Sequence, residues 1–399
     1  MKLHKSLVNA VKETLSQIFE GGVYADKAVE QVLKQNPKWG ARDRRFIAET
    51  TYEMVRWWRL LNEILGIKTA SFDYNGLLGV HFIIKDIELP PWDEFKELEK
   101  QQILEKAEQV RKIRKFRESY PDWMDELLAS ELGEECWEKE ACALNTEADV
   151  VLRVNTLKTK KDLLQKMLLD QGIVTHAIAG YPDALKLEKR VNLNPIKEYQ
   201  QGLFEVQDAS SQLIAANLEL EQGMFVIDAC AGAGGKSLHI AAIMKNKGKI
   251  VSMDVEERKL KELQRRADRA GVTIIETKPI SVSVVSTLKE KADRLLLDVP
   301  CSGLGVLRRT PDSKWKLNQD FIASIQQTQQ QIISEYSQML KPGGIMIYAT
   351  CSILPSENQK QVELFLAKHP DFNLLSDRKI LPSEGYDGFY MAKLTRLSV

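Results

Sequence analysis

The stretch that decides the fold is "VIDACAGAGGKS", residues 226–237. An apolar run ends at Asp228 and passes through a glycine-rich turn into a helical pattern that begins near Lys236. Small residues let backbone amides approach a ligand closely, and a helix N-terminus favours carboxylate or phosphate groups. The spacing matches neither the phosphate-binding GxxxxGK[ST] motif nor the dinucleotide-binding GxGxxG motif. The stretch therefore predicts a strand, turn and helix around a ligand of another kind.

Further apolar runs of strand length follow this stretch. They are "KIVSMDV" at 249–255, "DRLLLDVPC" at 293–301 and "GGIMIYATCS" at 343–352, and helical segments separate them. Continuous apolar runs that alternate with helices are typical of a doubly wound parallel sheet buried on both faces. We therefore expect a C-terminal α/β domain with a Rossmann-like, mostly parallel sheet.

The chain before this domain divides into two parts. Apolar residues recur at helical spacing up to about residue 140, which predicts an all-α bundle. The run "VVLRVNTL" at 150–157 then begins a strand-and-helix pattern that ends near residue 205. We expect a multidomain chain with a helical domain at 1–140, a small α+β module at 141–205 and the α/β domain at 206–399.

Composition excludes several protein classes. The 399 residues are 44% hydrophobic and 28% charged, and no apolar run is long enough to cross a bilayer. The charged residues balance at 56 of each sign, so net charge identifies no partner. The five cysteines offer neither a disulfide framework nor paired metal spacing. We expect a cytoplasmic monomer with free thiols, no metal and no secretory signal.

Asp254 ends the second strand, about twenty residues after the glycine turn. A carboxylate at this place binds the two hydroxyls of a ribose, which favours an adenosine-type ligand. The alternatives are a helix cap or a surface acid. Nucleoside recognition alone leaves nicotinamide and sulfonium cofactors open.

Two of the cysteines, Cys301 and Cys351, directly follow apolar runs that predict buried strands. A thiol becomes a good nucleophile only when it is ionised, and a cation or helix N-terminus favours ionisation. Strands of one parallel sheet end at the same edge, so we expect both thiols to lie beside the ligand crevice. The alternative for each cysteine is a small hydrophobic side chain that only packs. Cys230 adjoins the cofactor turn, where packing is the favoured role of its thiol.

Four motifs follow one another along the chain: "DACAGAGGKS" at 228–237, "LLLDVPCSGLGVLRRTPDSKW" at 295–315, "YATCSILPSEN" at 348–358 and "DGFYMAKL" at 387–394. They closely resemble successive motifs of the RNA cytosine-5 methyltransferases of the Sun/RsmB type. "LRVNTLK" at 152–158 and "FEVQDASSQL" at 204–213 resemble N-terminal stretches of that family, and residues 25–61 resemble its NusB-like helical domain. The resemblance spans nearly the whole chain.

The resemblance implies a cofactor and a set of catalytic residues. The cofactor is S-adenosyl-L-methionine, and Cys351 is the nucleophile that adds to carbon 6 of cytosine. Cys301 helps to remove the proton from carbon 5, Asp298 holds the edge of the base, and Lys236 reaches the base or its phosphate. The implied cofactor-binding residues are Asp228, Cys230, Ala231, Gly232, Ala233, Gly234, Gly235, Lys236, Asp254 and Asp298. The plain alternatives are a strand-end cap for Asp298 and an exposed lysine for Lys236.

RNA binding needs cations along the path of the strand. Arg308 and Arg309 directly follow the Cys301 motif, so we expect them to contact a phosphate beside the target base. Arg153 and Asn155 are candidates in the small module, with a strand that carries exposed polar residues as the alternative. The expected partner is RNA, and ribosomal RNA is the favoured substrate. Competing interpretations are a tRNA cytosine-5 methyltransferase, a non-catalytic RNA-binding or antitermination scaffold, and an oxidoreductase with an adenosine cofactor.

Overall fold

A computed structural model describes residues 3–66 and 72–398 of the chain. The chain forms two compact units. One, the helical unit, consists of Met1–Thr146 with Leu307–Gln319, and the other, the sheet unit, of Glu147–Val306 with Asp320–Val399. The predicted division into three consecutive domains did not include the return of residues 307–319 to the first unit.

Apolar residues at helical spacing form the core of the helical unit. Its helices are α1 (Lys5–Phe19), α2 (Ala25–Gln35), α3 (Ala41–Arg56), α4 (Trp58–Leu65), α5 (Tyr74–Ile84), α6 (Lys100–Val110), α7 (Arg114–Arg117), α8 (Asp122–Leu132) and α9 (Glu134–Ala143). Helix α5 is buried from Gly76 to Ile83, as expected of a helix that is apolar on all sides. The Asp73 carboxylate caps it by accepting a hydrogen bond from the Gly76 amide at 2.9 Å. The predicted helical bundle is confirmed.

The sheet unit begins with a small four-stranded sheet. Its strands are β1 (Val151–Val154), β2 (Thr175–Ile178), β3 (Tyr181–Leu187) and β4 (Phe204–Val206), with helices α10 (Lys161–Leu169) and α11 (Lys197–Gln200) between them. The strand order is β2-β3-β1-β4 and every pairing is antiparallel. The expected small α+β module is therefore present.

The larger sheet follows with seven strands in the order β10-β11-β9-β8-β5-β6-β7. The first elements are α12 (Ala209–Asn217), β5 (Phe225–Asp228), α13 (Gly235–Ile243), β6 (Lys249–Asp254), α14 (Glu257–Ala270), β7 (Ile275–Pro279), α15 (Val282–Thr287) and β8 (Ala292–Asp298). After these come α16 (Ser313–Lys316), α17 (Gln319–Tyr336), β9 (Leu340–Thr350), α18 (Gln359–Lys368), β10 (Phe372–Ile380) and β11 (Phe389–Arg396). The β10–β11 and β11–β9 pairings are antiparallel and the other four are parallel, so the expected mostly parallel sheet is confirmed.

The apolar runs of the sequence are buried on both faces of this sheet. Val226 and Leu296 pack in a cluster on one face, whereas Ile227, Leu295 and Leu297 pack in a cluster on the other. Successive side chains of a strand point to opposite faces, so a strand covered on both sides must be apolar at every position. The carboxyl ends of β5, β6, β8 and β9 then lie along one edge of the sheet.

Residues 307–319, including α16, pack within the helical unit. The Trp315 indole donates to the Val55 carbonyl at 2.7 Å, and the Asp312 carboxylate accepts from the Ala25 amide at 3.0 Å. Lys314 is fully buried and its ammonium donates to Asn145 Oδ1 at 2.6 Å. These contacts give the segment a defined place in the helical core.

In the two described ranges, no helix has both the length and the apolar character needed to cross a membrane. Among these same residues, no group of three or more histidine, cysteine or acidic side chains has the arrangement of a metal site.

Candidate active site

The glycine turn connects β5 to α13 in the way that the sequence predicts. Gly232 and Gly234 have φ angles of +54° and +84°, in the left-handed region that favours glycine. A Cβ atom on Gly234 would also lie 2.4 Å from Leu263 Cγ of α14. The Gly234 amide donates to the Ala231 carbonyl at 2.9 Å and closes the turn. Glycine at 234 is therefore required both for the turn and for the packing of α14.

Asp254 lies beside the glycine turn at the end of β6. One carboxylate oxygen accepts from the Gly232 amide at 2.9 Å, and the other accepts from the Glu256 amide at the same distance. Its side chain thus fixes both the glycine turn and the backbone that leads from β6 to α14. Each carboxylate oxygen has two lone pairs, so a ribose hydroxyl can still bind beside these amides. Ribose binding stays a prediction.

Asp228 and Cys230 flank the start of the turn, where Asp228 is fully buried and Cys230 is partly buried. Burial raises the pKa of Asp228 to about 7, although the Ser237 hydroxyl, which donates to its carboxylate at 2.6 Å, acts in the opposite direction. Burial also raises the pKa of the Cys230 thiol well above its ordinary value. A thiol with a raised pKa stays protonated, which agrees with a packing role for Cys230.

Lys236 and Asp298 form an ion pair between the first turn of α13 and the end of β8. Burial acts to lower the pKa of Lys236, but the Asp298 carboxylate outweighs it and the pKa is raised. The Cys351 sulfur is also among the groups that raise it, which puts this ammonium in the electrostatic neighbourhood of that cysteine. Lys236 is therefore a charged, largely buried group and not the exposed lysine of the alternative interpretation.

Cys301 and Cys351 meet at the same edge of the sheet. Their sulfur atoms lie 3.1 Å apart, and both side chains are partly buried. The hydrogen bond with Cys351, followed by burial, raises the pKa of the Cys301 thiol well above its ordinary value. The two cysteines therefore share one site, with Cys301 as a proton-bearing neighbour of Cys351.

Backbone contacts hold the Cys301 loop against the end of β9. The Val299 amide donates to the Ala349 carbonyl at 3.0 Å, and the Gly305 amide donates to the Cys351 carbonyl at 2.9 Å. Gly388 donates in turn to the Gly305 carbonyl at 2.8 Å. The loop that carries one cysteine is thus tied directly to the residue that carries the other.

A nucleoside-type cofactor fits the residues along this edge. A Cβ atom on Gly232 would meet no atom within 4 Å, and one on Gly235 would have no neighbour closer than 4.0 Å. Open space above these glycines lets a ligand approach the backbone, with Asp254 on one side and Asp298 on the other. The residues present are therefore compatible with a cofactor that carries a ribose and a charged group.

Arg153 and Asn155, predicted to contact RNA, are buried inside the sheet unit. Arg153 is 3% exposed and donates to the Gln207 side chain and the Gly235 carbonyl. Asn155 is 7% exposed and donates to the Gly202 and Ala270 carbonyls at 2.8 and 2.9 Å. Arg153 thus joins the small module to α13 and Asn155 joins it to α14, and their RNA contact stays a prediction.

Arg308 and Arg309, the other RNA candidates, belong to the segment that packs within the helical unit. Arg308 is 6% exposed, and its carbonyl accepts from the Arg56 guanidinium at 3.0 Å. Arg309 is partly buried. Closeness in sequence to Cys301 therefore did not indicate the surroundings of Arg308, and phosphate binding by this pair stays a prediction.

Ser302, Ser352 and Glu357 were not identified from the sequence as site residues. Both serines directly follow a cysteine, and both donate to the Glu357 carboxylate. A signal was present, because the same Cys-Ser pair occurs in both motifs and an acid, Glu357, lies near the end of the second one.

Comparisons with known protein families agree with this geometry. Residues 215–395 match the family described as 16S rRNA methyltransferase RsmB/F. Residues 120–194 match the ferredoxin-like domain of RsmF/B-like methyltransferases. The first match contains the glycine turn and both cysteines.

Individual relatives extend the likeness. A ribosomal RNA small subunit methyltransferase B of Vibrio cholerae is 36% identical over 70% of this chain, which spans 66% of that relative. A probable enzyme of the same name from Synechocystis is 30% identical over 88% of this chain and 86% of the relative. A solved methyltransferase homolog protein from Pyrococcus horikoshii has a TM-score of 0.64 at 27% identity and covers 71% of this chain and 98% of its own.

Proposed function

The chain belongs to the 16S rRNA methyltransferase RsmB/F family, and from this premise we propose that it methylates carbon 5 of a cytosine in small-subunit ribosomal RNA. The proposed methyl donor is S-adenosyl-L-methionine and the proposed nucleophile is Cys351. The observation that carries the proposal is the 3.1 Å approach of two cysteine sulfurs at the edge of a Rossmann-like sheet. One thiol would suffice for packing or for simple nucleophilic attack, whereas this reaction uses two.

Two groups of residues support the choice of cofactor. The glycine turn leaves open space for a ligand to contact the backbone, and Asp254 offers a carboxylate for the ribose hydroxyls at the end of the next strand. When bound, the sulfonium supplies a methyl group that a carbon nucleophile can attack. No metal is needed for that transfer.

Carbon 5 of cytosine is too electron-poor to attack a methyl group unaided. In the proposed first step, the Cys351 thiolate bonds to carbon 6, and the electrons displaced make carbon 5 nucleophilic. Lys236 keeps a positive charge close to the cysteine, and its ion pair with Asp298 fixes both side chains beside the base. Carbon 5 then forms its bond to the transferred methyl group.

Release of the product needs the removal of a proton. Carbon 5 still carries its original hydrogen after methylation, and loss of that proton returns the electron pair that expels the Cys351 thiolate. Cys301 is the proposed proton acceptor: its thiol first gives up its own proton to solvent, and the resulting thiolate, whose sulfur lies within hydrogen-bond distance of Cys351, then takes the proton from carbon 5. The alternative of a simple packing cysteine does not account for two thiols in contact at the ligand edge.

The proposal is tested by incubating the protein with methyl-tritiated S-adenosylmethionine and purified small-subunit ribosomal RNA. We expect label in the RNA that co-elutes with 5-methylcytidine after digestion to nucleosides. Cys351→Ala should transfer no label, whereas Cys142→Ala should leave transfer unchanged because Cys142 is exposed on α9.

The other outcomes separate the competing functions. Label in transfer RNA but not in ribosomal RNA would identify a tRNA methyltransferase. Label in a different nucleoside would overturn the carbon-5 assignment. No label in either RNA would favour a binding scaffold and contradict the proposal.

A further inference from the structure

The two cysteine loops run side by side and present the same pair of residues to each other. Cys301 faces Cys351, and the next residues, Ser302 and Ser352, face each other with their hydroxyl oxygens 3.2 Å apart. Both serines are buried, with exposed fractions of 7% and 0%. The hydroxyl pair therefore lies on the inner side of the loops, behind the thiol pair.

A single carboxylate joins the two serines. Glu357 is fully buried, and one of its oxygens accepts hydrogen bonds from both serine hydroxyls. Its other oxygen accepts from the Ser302 amide at 2.8 Å and from the Gln329 amide group at 3.0 Å. These four bonds come from neutral donors and use the ordinary acceptor capacity of a carboxylate. Charge-assisted bonds of this kind are about twice as strong as neutral ones.

The backbone around Glu357 is itself fixed. The Tyr348 hydroxyl of β9 donates to the Glu357 carbonyl at 2.7 Å. The next residue, Asn358, donates to the Ser352 carbonyl at 3.0 Å and accepts from the Thr350 hydroxyl. The carboxylate therefore extends from a rigid turn, and moving it would disturb the end of β9 as well as the Cys301 loop.

We propose that Glu357 is a positioning residue that sets the separation of the two thiols by binding Ser302 and Ser352 together. The expected effect of Glu357 on catalysis rests on the proposed function. One thiol must reach carbon 6 while the other stays close enough to help remove the proton from carbon 5. A shift of about 1 Å in such an arrangement can cost about 100-fold in rate. Glu357 contacts neither the base nor the cofactor in this account and acts only through the serines.

The separation of the thiols can be measured without RNA or cofactor. Diamide oxidises two adjacent thiols to a disulfide and takes up the two protons and two electrons that they lose. The rate is obtained by mass spectrometry of the peptide that links Cys301 to Cys351. We expect Glu357→Gln to slow this linkage by about tenfold or more, because the two loops are no longer held by one carboxylate.

Kinetics provide a second measurement. Glu357→Gln should lower kcat by about 10-fold to 100-fold and leave KM for RNA within about twofold, since only the reacting geometry changes. The matched control is Glu363→Gln, which removes an exposed carboxylate from α18 and should change neither the linkage rate nor kcat. Wild-type linkage and wild-type kcat in Glu357→Gln would overturn the proposal.

The serines provide a second test, which remains possible if the Glu357→Gln variant does not fold. Ser302→Ala, Ser352→Ala and the double variant form a cycle in which the linkage rate is measured. Because both serines act through the same carboxylate, their effects should be strongly non-additive. Additive effects would overturn the proposal. If the wild-type protein links its thiols as expected but transfers no methyl group, the proposed function is overturned. The inference about Glu357 is not overturned by that result.

Discussion

Lys236 and His239 lie one turn apart on α13 and are held in different charge states. Lys236 has a carboxylate partner in Asp298, which outweighs burial and keeps the lysine charged. His239 is 5% exposed and has only a longer contact of 3.5 Å with Asp183. Burial lowers the pKa of His239 to about 4, although Asp183 acts in the opposite direction. Asp298 therefore reinforces the positive charge of Lys236, whereas burial, only partly offset by Asp183, favours the neutral form of His239.

This difference predicts a pH-dependent stability for His239. The folded protein keeps the imidazole neutral, whereas the unfolded chain protonates it below about pH 6.5. The neutral imidazole therefore contributes fully to the free energy of unfolding above pH 6.5. This contribution falls by at most about 3 kcal/mol as the pH is lowered towards 4. Urea unfolding of the wild type and His239→Gln at pH 7 and pH 4.5 should show the difference in stability shrinking at the lower pH.

The control for this prediction is His176→Gln, which changes an exposed histidine on β2. A wild-type advantage over His239→Gln that is the same at both pH values would contradict the account of His239.

At the scale of elements, the sequence predicted the strands that position the site. The apolar runs before Asp228, Asp254, Asp298 and Cys351 all form strands of one sheet, because continuous apolar runs suit strands buried on both faces. Apart from the expected meeting of Cys301 and Cys351 at one edge of the sheet, contacts between these elements were not predicted. No sequence pattern indicated that Lys236 pairs with Asp298 or that Glu357 binds both serines, since these partners are 62 and up to 55 residues apart.

The Cys301 loop depends on one close approach of backbones. A Cβ atom on Gly305 would lie 2.2 Å from the Gly388 carbonyl oxygen and 2.8 Å from that of Cys351. Neither backbone atom can rotate away. Gly305→Ala should therefore lower the free energy of unfolding by about 1 to 3 kcal/mol and displace the loop. Urea unfolding checks the stability, and linkage of Cys301 to Cys351 by diamide checks the loop.

Gly40→Ala is the matched control, because a Cβ atom at Gly40 would meet nothing within 4 Å. It should cost no more than about 1 kcal/mol as a helix-cap substitution. Equal effects of the two substitutions would contradict the close-approach argument.

At the scale of the whole molecule, the chain leaves the helical unit at residue 146 and returns to it at 307–319. Linear reading of the sequence cannot predict such a return, because "LRRTPDSKWKLNQ" lacks a long periodic pattern. Of its charged residues, Arg308 and Arg309 were expected to contact RNA. In the structure, Lys314 is fully buried and donates to oxygens of Asn145, Glu118 and Ser119.

Lys314 is therefore expected to stabilise the helical unit. Its ammonium also lies 4.0 Å from the centre of the Tyr120 ring, and burial lowers its pKa well below the ordinary lysine value. Lys314→Met leaves several buried oxygens without a donor and should cost about 3 kcal/mol or more. Hydrogen exchange of α8 and α9 should become faster, whereas Lys112→Met, at an exposed site of the same unit, should have no effect. Unchanged protection in Lys314→Met would contradict the buried role.

The most direct test of the central claim is to detect the bond between protein and RNA. Cys301→Ala and Cys351→Ala are each incubated with S-adenosylmethionine and small-subunit ribosomal RNA and then separated on a denaturing gel. Cys301→Ala should retain RNA on the protein, because attack by Cys351 still occurs and release fails. Cys351→Ala should retain none. A retained complex with Cys351→Ala, or its absence with Cys301→Ala, would contradict the roles assigned to the two thiols.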